Sequence, residues 1–125
     1  IMYFVDYKKF DLIKNLINLK DVDKAEIISA FCRLNTLTTI KVAGSGHLGT
    51  SMSAMDLFVW INHFLLKRKR KKVKNDYGRD YFFSSKGHDV PGLYNVLYAL
   101  GILPKKKIFK LRRLNGLDGH PDVRI

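Results

Sequence analysis

Three of the four histidines in this 125-residue sequence directly follow a glycine: His47 after Gly46, His88 after Gly87 and His120 after Gly119. An imidazole titrates near neutrality and both donates and accepts hydrogen bonds, which suits polar substrates and proton transfers at hydroxyl groups. Glycine admits backbone dihedrals that other residues resist and lets a ligand approach closely. The stretch from Gly44 to Ser51 carries three glycines in six residues around His47, the pattern of a tight turn that presents one imidazole between two helices. The histidines lie 41 and 32 residues apart, unlike the short spacings of helix-borne metal sites, so zinc is disfavoured. Three unrelated loop histidines are an alternative of comparable weight on these residues alone. His63 has no flanking glycine and reads as an ordinary surface or boundary residue.

These groups need elements to hold them. Over residues 6–19, Phe10, Ile13, Leu16 and Ile17 recur at helical spacing and predict a short N-terminal docking helix. Asp23 and Glu26 resemble a capping box for a second helix, in which Ile27, Phe31, Leu34, Leu37 and Ile40 recur every three to four residues up to about Ala43. Ser53 and Asp56 offer a cap for a third helix with Leu57, Trp60, Ile61, Phe64 and Leu65 on a broad buried face. Tyr81, Phe82, Phe83 and Ser84 form a short β-prone run, predicted as a buried strand over residues 81–84. Asp89 caps a further helix with Pro91 in its first turn, Leu93, Leu97 and Leu100 packed inward, and Gly101 as its stop. A frayed helix follows Pro104, because Lys105, Lys106 and Lys107 oppose the dipole there.

Composition sets broad bounds. Apolar residues make up 46% of the chain, enough for a real core, and 23 basic residues against 11 acidic give a formal charge of +12. That charge admits nucleic acid, an anionic membrane or phosphorylated small molecules as partners. A lone cysteine, Cys32, excludes an internal disulfide and reads as buried packing in a reduced, cytoplasmic protein. The apolar run over residues 57–66 is about half of the ~20 residues that a membrane span requires.

Taken together, Ser45, Gly46, His47, Leu48 and Gly49, then Arg79, Asp80, Ser85, Lys86, Gly87 and His88, then Gly119, His120, Pro121 and Asp122 resemble the N-terminal thiamine-diphosphate-binding region of transketolases. Arg33 falls where that family usually has an arginine in the preceding helix. The form with Pro91, Leu93 and Tyr94 is most like the short N-terminal subunit of split transketolases. Leu48 stands where a proline is general, and Tyr81 replaces a common arginine.

The resemblance implies an α/β fold, of which this chain holds the opening helix-rich part with one recognisable strand and an incomplete sheet. Residues 1–22 then form a docking helix and residues 23–125 part of the diphosphate-type domain. It implies transfer of a two-carbon ketol unit between sugar phosphates through thiamine diphosphate. His47 and His120 would be the catalytic and substrate-binding residues, and His88 and Gly87 the cofactor-binding ones. The family's Gly, Asp, Gly segment and later asparagine, which hold Mg²⁺ and diphosphate, have no counterpart here and by the family's order follow residue 125. The chain alone is therefore expected to be inactive and to need a C-terminal transketolase half or second subunit in a homo- or hetero-oligomer.

The geometric expectation is that His47, His88 and His120 open onto a common cleft with His63 elsewhere, and that Gly46 and Gly87 each hold a backbone conformation or a contact distance that a Cβ would spoil, so that Gly→Ala there damages the site more than the fold. A competing reading is a small basic non-catalytic protein binding nucleic acid or a protein partner, on the strength of the total charge and the basic run at residues 67–74. Nucleic acid is disfavoured, because aromatics able to stack on bases fall mostly in apolar stripes.

Overall fold

The computed structural model describes residues 3–66 and 80–117. In chain order these form α1 (Tyr7–Lys14), α2 (Asp21–Ala43), α3 (Leu48–Val59) continuing into a π-helical turn (Trp60–Leu65), α4 (Val90–Ala99) and the short α5 (Lys105–Ile108). Every residue of α4 is buried. It is the axis of the molecule, with α1, α2, α3 and α5 packed around it. Its sequence explains this: Val90, Leu93, Tyr94, Val96, Leu97, Tyr98 and Ala99 leave no polar face, and a helix apolar all round must be covered on all sides.

What covers α4 is unexpected. The residues that α2 buries are Ala25, Ile28, Ser29, Cys32, Asn35, Thr36, Thr38 and Thr39, mostly small or polar. The Thr36 and Thr39 hydroxyls donate to carbonyls one turn back, those of Cys32 and Asn35, at 2.7 Å each, so their burial leaves no unmet donor. The expected stripe sits further out, with Leu34 and Leu37 exposed and Ile27, Phe31 and Ile40 half-buried. The same rotation holds for α3, which buries Ser51, Met55, Phe58 and Val59 while Leu57 and Leu65 are 59% and 57% exposed. Small residues on the inner faces let backbones approach closely. At Gly92 of α4 an added Cβ would lie 3.1 Å from the Ser51 Cβ and 3.3 Å from the Met55 Cε.

Helix boundaries follow local chemistry, with corrections. Asp6 caps α1, its carboxylate accepting from the Lys8 amide, and α1 ends at Lys14. Neither expected cap box forms: Lys20 is the N-cap of α2 and His47 that of α3, each without a side-chain cap bond. Asp21 and Asp23 instead sit in the first turn of α2, where carboxylates complement the dipole. The C-terminus of α2 is closed by Gly44 at φ +72°, whose amide donates to the Ile40 and Lys41 carbonyls. Gly101, at φ +80°, follows the end of α4 as expected.

No strand forms at residues 81–84, and none is present among the described residues; the only ladder-like contact is the single Leu111–Leu117 bridge. A strand needs a neighbour to satisfy its backbone groups, and no described segment lies alongside this one. Phe82 tucks against Phe58 at 5.6 Å, while Tyr81 and Phe83 are 73% and 86% exposed.

At the far end of α4 an aromatic cluster closes the core. Phe10 meets Phe31 and Tyr98 edge to face, and Phe4 lies between Tyr98 and Phe109. Asn35, fully buried, takes the Val5 amide at 2.6 Å and donates to the Val5 carbonyl at 3.0 Å, pinning the N-terminal segment. Lys14 donates to the Ala99 carbonyl at 2.7 Å at the end of α4, and burial lowers its pKa. Cys32 is buried against α4, as expected, and burial pushes its thiol pKa far up, away from the reactive thiolate. No helix among the described residues is long and apolar enough to cross a membrane.

Candidate functional site

At the opposite end of α4 the glycine-flanked motifs meet. The turn after α2 runs through Gly44, Ser45 and Gly46 to His47, the first residue of the α3 cap; His88 lies two residues before α4. Their imidazoles stand edge to face with ring centroids 4.5 Å apart, and both residues are exposed. Two of the three expected histidines therefore share one site. The third, His120, lies outside the described residues, as do Arg79, the basic run at 67–74 and Pro121.

The first turn of α3 fixes this pair. Thr50 donates its hydroxyl to the His88 carbonyl at 3.2 Å, and the Gly92 amide donates to Ser51 Oγ at 3.2 Å. The start of α3 thus binds the loop and first turn of α4 to the same helix that carries His47. Asn95, buried in α4, donates to Thr39 Oγ1 at 3.1 Å and to the Pro91 carbonyl at 2.8 Å, tying α4 to the end of α2. Gly46 meets its expectation: φ is +150°, and an added Cβ would lie 2.9 Å from Ile40 Cγ1 and 3.5 Å from Pro91 Cγ. An L side chain there is both strained and crowded. Gly87 is half-buried in the loop before His88.

Around the pair, Ser84 Oγ reaches the buried carboxylate of Asp89 at 3.3 Å and folds the Lys86–Gly87 loop back on itself. Arg112 donates to Ser45 Oγ at 3.3 Å. Arg33 is not in the site. It forks onto Asp56 through Nη1–Oδ1 at 3.0 Å and Nη2–Oδ2 at 2.8 Å and also donates to the Met52 carbonyl, joining α2 to α3. His63 also lies elsewhere. The π-helical turn aims its Nε2 at the Val96 carbonyl, 3.2 Å away in the middle of α4, and it stands half-buried.

Thr50 and Ser51 lie in the stretch over residues 44–51 but carried no role there, and Arg112 was not singled out, since a hydroxyl or an arginine carries no spacing signal of its own. Thr50 and Ser51 directly follow the Gly49 that ends the motif, and that adjacency was the available clue.

Two solvent-facing imidazoles on glycine-bearing loops fit an anionic, oxygen-rich ligand, to which they offer hydrogen bonds without demanding metal geometry. A divalent metal is a different matter. Among the described residues no three His, Cys, Asp or Glu side chains come together as a metal would require, and Mg²⁺ needs several oxygens in near-octahedral array. Among the described residues there are imidazoles able to meet anionic oxygens, and no side-chain group able to hold the metal.

The comparisons with known proteins agree with this partial picture. Residues 23–125 match the family model described as transketolase, thiamine diphosphate binding domain. The chain is 33% identical over 90 residues to a transketolase of Pongo abelii, covering 71% of this chain and 14% of that protein. It is 32% identical to the Homo sapiens transketolase over the same length. With a Staphylococcus aureus transketolase it shares 30% identity over 105 residues, 82% of this chain and 15% of that one. The aligned region thus spans about a seventh of the length of these relatives. No solved structure matches. With the family model covering residues 23–125, and so both His47 and His88, the chain belongs to the transketolase family, matching its thiamine diphosphate binding domain.

Proposed function

We propose that this chain is the opening portion of a transketolase-like enzyme that transfers a two-carbon ketol unit between sugar phosphates in the cytoplasm, and that it is inactive by itself. The observation that carries this reading is the meeting of His47 and His88 at 4.5 Å on a glycine-braced turn. Thiamine diphosphate, when bound, supplies the electron sink for breaking and making the carbon–carbon bond. His47 and His120 hold sugar hydroxyls by hydrogen bonds and move protons at those oxygens. His88 and Gly87 meet the cofactor's diphosphate oxygens.

The remaining parts come from outside these residues: oxygen ligands for Mg²⁺, strands that pair with residues 81–84 to make an α/β domain, and the second half or subunit of a homo- or hetero-oligomer. The exposed Leu34, Leu37, Leu57, Tyr81 and Phe83 support this reading, because a sheet would cover them. On this division residues 1–22 act as the docking segment and 23–125 as part of the diphosphate-type domain.

The test is complementation. The chain is mixed or fused with the rest of a transketolase, and ketol transfer from a ketose phosphate to an aldose phosphate is followed. Activity that needs both pieces and falls at least about a hundredfold in His47→Ala supports the proposal. Full activity of the complemented His47→Ala enzyme, or none from the complemented parent chain, refutes it.

A further inference from the structure

A second device bears on His47. Residues 110–117, which lead from α5 toward the His120 motif, fold into a tight loop held by its own backbone. The Arg113 amide donates to Lys110 O at 3.1 Å, Gly116 to Arg113 O at 2.9 Å, Arg112 to Leu117 O at 2.8 Å and Leu117 to Lys110 O at 3.2 Å. The loop is anchored below by Leu111 and Leu117, both buried. It is also strained. Arg112 and Asn115 adopt φ values of +57° and +58°, which non-glycine residues take only at a cost, and at Gly116 an added Cβ would sit 1.9 Å from the Lys110 carbonyl oxygen.

This strain has a visible result. It places two neighbouring arginines against the end of α2 and the turn that follows it. Arg113 Nη2 donates to the Val42 carbonyl at 3.2 Å, in the last turn of α2, where a cation also complements the negative end of the helix dipole. Arg112 Nη1 donates to Ser45 Oγ at 3.3 Å. Between those two contacts lie only Ala43 and Gly44, and His47 comes two residues after Ser45. The turn is closed at its start by the Gly44 amide on the Ile40 and Lys41 carbonyls, but Gly44 and Gly46 both have positive φ, and glycines carry the largest backbone entropy.

We infer that the 110–117 loop is a clasp, and that Arg112 and Arg113 are positioning residues that fix the His47 turn from outside. The clasp acts on the imidazole indirectly, through Ser45 and Val42, and touches no reacting atom. Its value for turnover rests on the functional reading above, in which His47 meets substrate. Its geometry does not.

The experiment uses the full 125-residue chain, with the imidazole carbon–proton resonances of its histidines as the readout. The edge-to-face His47–His88 contact makes both resonances sensitive to small ring displacements. In Arg112→Ala and Ser45→Ala the His47 and His88 peaks are expected to move while His63 stays, the double variant should move them no further than either single one, and Arg112→Lys, which keeps a donor, should restore most of the parent position. In the complemented enzyme Arg112→Ala should lower kcat about tenfold with KM changed less than about twofold. Unmoved His47 and His88 peaks overturn the clasp. So does a His63 displacement as large as theirs, which would make the loop a general brace. Moved peaks beside an inactive complemented parent enzyme uphold the clasp and refute the functional reading instead.

Discussion

The inner and outer faces of α2 differ from those of an ordinary amphipathic helix: mostly small or polar residues lie inside and Leu34 and Leu37 lie outside, whereas α3 buries Met55, Phe58 and Val59 beside Ser51. Toward α4, Cys32 and Thr39 of α2 meet Asn95, and Ser51 and Met55 of α3 meet Gly92, in a close-packed seam. Away from it α2 presents Leu34 and Leu37, α3 presents Leu57 and the π-helical turn presents Leu65. The seam obtains its tightness from small residues set beside Met55, with the Thr39 hydroxyl bonded one turn back, and it brings three helix ends near enough to hold two histidines in contact. The outer stripe lies outside this chain's own core, which is built from Ile28, Leu93, Leu97, Ile108 and their neighbours. The site hangs on the inner seam and not on the outer stripe.

The largest effect should come from hollowing the seam. Met55→Ala removes a fully buried side chain and should cost about 2–5 kcal/mol in chemical denaturation; a loss below about 1 kcal/mol would show that the seam is loose. Next is overfilling it. Gly92→Ala forces a Cβ against Ser51 and Met55 and should cost about 1–3 kcal/mol, with the Thr50–His88 contact weakened as the helices part.

Gly46→Ala belongs to the same range, about 1–3 kcal/mol of local strain, but it should act on the site more than on the fold. The His47–His88 ring contact would change while the denaturation midpoint moves less than in Gly92→Ala. Equal effects on both would break the distinction between seam and turn.

The Arg33–Asp56 bridge joins α2 to α3 at the outer edge of the seam. Its hydrogen bonds from Arg33 hold the Asp56 carboxyl pKa below the ordinary range. A carboxyl with a depressed folded-state pKa adds stability that is present above its unfolded value, near pH 4, and is lost as pH falls through the lower folded value. The Asp56 side chain is 69% exposed, so Asp56→Asn should cost about 1 kcal/mol or less, with the difference from the parent vanishing below pH 4. A difference that grows on acidification would reverse the sign of the argument. The smallest effects are expected on the outer stripe, where Leu37→Ser, Leu57→Ser and Phe83→Ser should each stay within about 0.5 kcal/mol in this chain.

Legibility in the sequence follows the same division. The glycine-flanked histidines were readable because a Gly–His pair at an element boundary has few other uses, and His47 and His88 do converge. The end of α2 at Ala43, the extent of α4 and the stop at Gly101 were readable from periodicity and helix-breaking residues. The inward face was not, because periodicity identifies an apolar stripe without saying whether this chain or another segment covers it. The strand at residues 81–84 failed for a related reason: β-propensity marks Tyr81, Phe82 and Phe83 as fit for a pleated sheet, but a strand exists only beside a partner. The caps at Asp23 and Ser53 looked right locally, yet α2 begins two residues earlier and α3 five residues earlier, where packing against α4 begins to reward helix. Arg112 had no signal at all, since its contact with Ser45 spans 67 positions.

The central claim is that these residues form one edge of a thiamine diphosphate site and lack the rest. Titration calorimetry tests it directly, with thiamine diphosphate and Mg²⁺ added first to the chain alone and then to the chain complemented by the remainder of a transketolase. The account predicts weak or undetectable binding in the first titration and tight, Mg²⁺-dependent binding in the second, lost when His88 is replaced by alanine. Tight, metal-dependent binding by the 125 residues alone would contradict it.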